Sequence, residues 1–171
     1  MNREALKKAI DNLSIQMIYL HSTNAYFHNG FDPLIPSQQL EGQFNIATNS
    51  YYFKEIQNVN GDKHRILVYR TEARMRYLKG PIPDELKSDQ GNEEELNKLL
   101  ASEIVAEFIS EYVIKCDGEL PQDAILEFGR INVPHQVWPY WREYCQSTCA
   151  RMSLPVSMLP MYAINEKTES L

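Results

Sequence analysis

The stretch HRILVYRTEARMRYL, residues 64–78, decides the fold. Leu67, Tyr69, Thr71, Ala73, Met75 and Tyr77 fall on one face of an extended chain, and Arg70, Glu72, Arg74 and Arg76 on the other. Strict period-two alternation of this kind describes a strand in an antiparallel sheet with one dry side and one wet side. Just upstream, Asn60-Gly61 within NVNGDK (58–63) is a tight-hairpin signal. The strand before it is GQFNIATNSYYFKEI (42–56), with Phe44, Ile46 and Thr48 on one face. Further back, a loop broken by Gly30, Pro33 and Pro36 separates this strand from SIQMIYLHSTNAYFH (14–28). That segment is rich in strand formers and lacks helical period, so it is read as the first strand. Residues 2–12 place Ala5, Leu6, Ala9 and Ile10, with Leu13, at the spacing of a short amphipathic helix.

Downstream, residues 80–95 form an acidic linker with proline and glycine breaks. In LNKLLASEIVAEFISEYVIKC (96–116), a helical turn or two gives way to alternation and a fourth strand. Pairing of this strand with the third sets Glu107 and Glu111 opposite Arg70, Arg74 or Arg76 on the wet side, each pair contributing ~0.2–1 kcal/mol. LPQDAILEFGRI (120–131) reads as a short helix with Pro121 at its start and Gly129 as its stop. The last element, NVPHQVWPYWREYCQSTCARMSLP (132–155), carries both tryptophans and reads as a second helix that either begins near residue 136 or carries a kink there, because Pro134 and Pro139 lack amide hydrogens. The expected architecture is α+β: four antiparallel strands followed by two helices, with a short N-terminal helix. Residues 1–13 are that helix, 14–162 one domain with the 80–95 linker inserted, and 163–171 a polar tail. Helices of one small subunit cover little of a four-stranded sheet, so a homo-oligomer is expected.

The 171 residues suit a single domain. A net charge of -6 and a pI near 5.2 argue against a general nucleic-acid binder, which needs a basic field. The arginines of residues 64–78 do not reverse this, because Tyr69 and Tyr77 point to the opposite face and cannot stack bases beside them. The chain lacks an apolar run near the ~20 residues that span a bilayer, and its N-terminus lacks a secretory signature, so membrane insertion and export are not expected. Three cysteines, an odd number, suggest free thiols in a reducing, cytoplasmic setting. Cys145 and Cys149 lie one helical turn apart, but a metal site needs more ligands than this pair. His21, His28, His64 and His135 show no spacing that would activate a cysteine. Phosphate loops, G-x-S-x-G and paired-carboxylate motifs are missing from the sequence, so neither enzyme activity nor a cofactor is expected.

Trp138-Pro139-Tyr140-Trp141-Arg142-Glu143 resembles the aromatic-Pro-Tyr-x-Arg-Glu helix start of the SecB family of export chaperones. Cys145 and the small residues up to Arg151, then Leu154-Pro155 and Leu159-Pro160, continue the likeness. Ile15-Gln16-Met17-Ile18-Tyr19 and Val105-Ala106-Glu107-Phe108 are similar to the family's first and fourth strands, and the resemblance spans about residues 14–162. It implies an ATP-independent chaperone, a tetramer built as a dimer of dimers, with helices sandwiched between sheets and unfolded or nascent polypeptide bound in apolar grooves outside. Relatives also act as dedicated chaperones that hold an antitoxin C-terminal segment in toxin–antitoxin systems. Glu107 matches an acidic position used to dock the translocation ATPase. His21-Ser22-Thr23-Asn24 stand where the family's first-strand acids are expected, and the chain stops soon after Tyr162, which implies a shortened or absent C-terminal helix.

Client contact is expected at Trp138, Tyr140, Met152, Leu154, Met158, Leu159, Met161 and Tyr162, since flexible methionines and aromatics suit a surface that accepts many sequences. Tyr51, Tyr52 and Phe53 either line the same groove or are plain core. Trp141 and Tyr144, with Cys145 and Thr148 on their stripe, are expected in the core or a subunit interface. A non-catalytic adaptor or structural oligomer that binds a folded partner is the competing reading.

Overall fold

The computed structural model describes residues 1–28, 30–35, 39–57, 59–81, 93–156 and 159–162. Much of the expected linker, Met158 and the tail from residue 163 lie outside the described residues. The elements run α1 (Arg3–Asn12), β1 (Leu13–Phe27), β2 (Leu40–Gln57), β3 (Lys63–Lys79), α2 (Glu93–Leu99), β4 (Leu100–Ile114) and α3 (Gln122–Arg151). The four strands form one antiparallel sheet in the order β1-β4-β3-β2, so β1 and β2 are its edges.

The alternation of β3 sets the layers. Leu67, Tyr69, Thr71, Ala73, Met75 and Tyr77 are all buried on the inner face, where Ile104, Ala106, Phe108 and Tyr112 of β4 join them. α3 lies across this face and adds Phe128, Val137, Trp141, Cys145 and Cys149 to one core. Trp141 is completely enclosed, and burying so large a side chain contributes on the order of 3 kcal/mol. α1 packs beside α3 through Ala5 and Ala9. Its first turn is closed by Asn2, whose side-chain oxygen accepts from Ala5 N at 3.1 Å while its backbone N–H donates to Glu127 at 2.6 Å.

Two helices were expected after β4, and the structure has one helix of 30 residues. Gly129 does not stop it. A Cβ at that position would lie 2.7 Å from Cε1 of Tyr69, so the missing side chain is what lets helix and sheet meet. Pro134 and Pro139 each remove an intrahelical hydrogen bond, but apolar burial on both sides of them outweighs local propensity. Trp138–Glu143 is therefore the middle of a helix, not its start. Trp141, Cys145 and Thr148 are buried inside the single subunit, so they are core residues, with no surface left for an interface.

The C-terminus of α3 is a Schellman motif. Leu154 N–H bonds Cys149 O at 2.9 Å and Ser153 N–H bonds Ala150 O at 3.3 Å, with Ser153 left-handed at φ 54°. This reversal sends the tail back along the helix.

Candidate functional site: an apolar trough beside α3

β2 begins with Phe44, Ile46 and Thr48 on the inner face, opposite Met75, Ala73 and Thr71 of β3. A bulge then shifts the register between Thr48 and Ser50, so Tyr51 and Phe53 take over the inner face opposite Tyr69 and Leu67. Had Asn49 taken a regular place in the ladder, both rings would point to the outer face. The edge strand thus presents an inward apolar row that α3 only partly covers.

Between β2 and α3 runs a cavity of about 770 Å³, lined by Ile46, Thr48, Tyr51 and Tyr69 on the sheet side and by Ile125, Leu126, Gly129, Arg130 and Pro134 on the helix. A neighbouring cavity of about 590 Å³ shares Tyr51 and Ile125 and continues past Phe53 to Lys54, Glu55, Arg65 and Glu119. Together they make one trough that is apolar in the middle and charged at the Glu119 end. It follows β2 from Asn45 to Glu55, a length of roughly 30 Å at the ordinary strand rise, which suits about ten extended residues. At the opposite end stands Tyr162 of the tail.

Burial pushes the Tyr69 hydroxyl well above the phenol range, and it donates to Ile125 O at 2.9 Å. A hydrogen bond with Cys149, together with burial, drives the Cys145 thiol far upward, so it stays protonated and inert. Among the described residues there is no cluster of three His, Cys, Asp or Glu side chains able to hold a metal. Among those same residues, no helix is long and apolar enough to cross a membrane.

The residues expected at the client site divide into groups. Tyr51 and Phe53 line the trough, while Tyr52 sits on the outer face opposite Val68. Trp138 is only 4% exposed: its ring meets Phe44 at 5.5 Å and Tyr162 at 5.4 Å, and its Nε1 donates to Pro160 O at 3.0 Å. Leu154 and Leu159 are buried, Met152 is half-buried at the end of α3, and Met161 is 80% exposed. Tyr140 lies away from the trough, in an apolar pocket of about 390 Å³ between α3 and β1 that Leu20, Phe108, Pro139 and Tyr144 also line. Tyr144 is half-buried there, with its hydroxyl hydrogen-bonded to Thr23. Glu107 is on the outer face, 3.3 Å from Arg70 and 3.6 Å from His21.

The helical wall of the trough, Ile125, Leu126, Gly129 and Pro134, was missed from sequence. Its signal is the four-residue step from Ile125 to Gly129, hidden once Gly129 is taken as a stop.

No family model and no curated protein matches the chain. Among solved structures it is similar to the SecB-like chaperone of Mycobacterium tuberculosis, determined in complex with a ChAD peptide from the HigA1 antitoxin. The two chains are 15% identical and superpose with a TM-score of 0.63, over 95% of this chain and 99% of that one. The protein has a SecB-like fold.

Proposed function

We propose that the protein is an ATP-independent holdase that binds extended, non-native polypeptide in the trough between β2 and α3. The continuous trough is the observation that carries this reading: two joined cavities, sharing Tyr51 and Ile125, whose apolar floor is open along the edge strand. The free edge of β2 adds backbone groups to which an extended segment can hydrogen-bond regardless of sequence, while Ile46, Tyr51 and Phe53 receive its apolar side chains. Binding alone is the mechanism, without chemistry or cofactor. Shallow contacts spread over about ten residues add up to useful affinity although each is weak.

A dedicated client, such as the C-terminal segment of an antitoxin, fits a trough of this length; the neighbour of like fold holds an antitoxin peptide. The subunit works in the cytoplasm as a homo-oligomer, a tetramer in this reading. A second copy covers the open inner-face side chains of β1, Ile15 and Leu20, and the pocket around Tyr140.

The test is binding of a permanently unfolded, carboxymethylated protein and of a candidate antitoxin segment. Tyr51→Asp places a charge between the two cavities and is expected to weaken binding at least tenfold, since a buried ring contributes about 1.5–3 kcal/mol. Tyr52→Asp, on the outer face, is expected to leave affinity unchanged. Equal affinity in both variants refutes the site, and binding confined to native proteins favours the adaptor reading.

A further inference from the structure

The aromatic end of the trough is already occupied by the protein's own tail. After the reversal at Ser153, buried Leu154 and Leu159 pin the chain against the core. Trp138 Nε1 donates to Pro160 O at 3.0 Å. Met161 then points to solvent, and the half-buried Tyr162 lays its ring 5.4 Å from Trp138 and 5.8 Å from His135. A carbonyl on the indole, a side chain outward and a ring inward two residues later is how an extended segment docks. Tyr162 also closes the end of the larger cavity.

Resting on the trough reading above, we propose that residues 160–162 are a built-in pseudo-client. Tyr162 fills the place of a client's aromatic side chain and has to leave before that side chain enters. The client class is thereby narrowed to extended segments that present a tyrosine or phenylalanine, two residues after a carbonyl able to accept from Trp138. Tethering keeps Tyr162 at high local concentration, so the apparent affinity for a client falls by the fraction of molecules whose tail is seated. Segments that touch only this end are turned away, and those that also engage Tyr51 and Phe53 outcompete the tail.

The test compares wild type, Tyr162→Ala and Tyr162→Phe in the full chain, with a labelled peptide of sequence LPMYAIN as probe. Tyr162→Ala is expected to bind the peptide about tenfold more tightly than wild type, and Tyr162→Phe, which keeps the ring, to match wild type. Acrylamide quenching of tryptophan fluorescence is expected to rise in Tyr162→Ala as Trp138 is uncovered, because the enclosed Trp141 contributes a constant background. Equal or weaker binding by Tyr162→Ala makes the ring a wall of the site and overturns the proposal, as does unchanged quenching. If the peptide and an unfolded protein bind none of the three chains, the trough reading falls and the pseudo-client with it. If they bind all three equally, the trough stands and the pseudo-client alone is refuted.

Discussion

Gly129→Ala tests how closely α3 is laid on the sheet. In an open helix the change would stabilise by about 0.8–1 kcal/mol, because glycine is the costlier residue in a helix interior. Here the new methyl would stand 2.7 Å from Cε1 and 3.2 Å from Cδ1 of Tyr69, and 3.7 Å from Cγ2 of Thr48. Carbon atoms settle at about 3.5–4.0 Å, so a gap of roughly 1 Å has to open. Tyr69 cannot supply it by swinging away. Its hydroxyl is held by Ile125 O, and its ring contacts Tyr112 at 5.8 Å and both Tyr51 and Phe128 at 6.1 Å. Overpacking of this kind costs about 1–3 kcal/mol, and here its upper half is expected. Set against the propensity gain, the net prediction is a loss of about 1–2 kcal/mol. Urea unfolding followed by tryptophan fluorescence, at one fixed protein concentration, measures it as a lower midpoint with unchanged slope. In a double-mutant cycle Tyr69→Leu is expected to cost less in the alanine background than in wild type. A Gly129→Ala protein as stable as its parent would mean that helix and sheet are not in the contact described.

Two further outcomes follow from local geometry. Ser153 holds a left-handed φ of 54° at the position where a Schellman motif favours glycine, so Ser153→Gly is expected to raise stability by about 0.5–1 kcal/mol; an unchanged midpoint would deny that strain. Glu103 is a case for pH. Burial opposes its charge, but hydrogen bonds from Tyr26 and Arg76 and the fields of Arg74 and Arg76 outweigh it and hold the carboxyl below its ordinary value of 4.5. A depressed folded pKa gives stability that is complete above the unfolded value and is lost as pH falls through the folded one. The wild type is therefore expected to weaken from about pH 4.5 downward, and Glu103→Gln to show a flatter acid limb in urea midpoints taken across that range. Parallel acid limbs would remove Glu103 as the cause.

The parts of the fold that were legible in the sequence are those where one physical rule acts alone. β3 alternates between buried and half-buried residues from Tyr69 to Tyr77, so periodicity reported both its type and its faces. The change from helix to strand before β4 was visible as a change of period, but β4 begins at Leu100, four residues before the alternation that starts at Ile104. β2 was half legible: Phe44, Ile46 and Thr48 share a face as expected, but the bulge at Asn49 moves Tyr52 outward and Tyr51 and Phe53 inward, and a bulge leaves no compositional mark. β1 carries two such shifts, between Ile15 and Met17 and between Leu20 and Ser22, which is why no alternation showed in it. In α3 the rules conflict. Gly129, Pro134 and Pro139 are local breakers, and only contact with Tyr69 and burial of Val137 and Trp141, set by distant strands, explain one unbroken helix. Trp138 drew attention as an exposed anchor because its cover comes from Phe44 and Tyr162, remote in sequence. Glu103 escaped notice because it stood where period and helix overlapped.

The two faces of the sheet divide attraction from balance. On the outer face Glu103 meets Arg74 and Arg76, Glu107 meets Arg70, Glu111 meets Lys54 at 2.7 Å, and Glu72 meets Arg74. Each such pair contributes only about 0–1 kcal/mol, but together they leave little uncompensated charge to draw in a distant partner. A basic partner docking at Glu107 has to displace Arg70, and the carboxylate it wins lies 3.6 Å from His21 as well. The trough has no such internal compensation: Ile46, Tyr51 and Phe53 line an open cavity, and the contact that shields its aromatic end comes from the detachable tail. Free energy for binding is therefore stored on the side of α3 and β2. Client capture there is driven by apolar burial, so its affinity is expected to change little with salt, whereas any docking through the outer face weakens as salt rises.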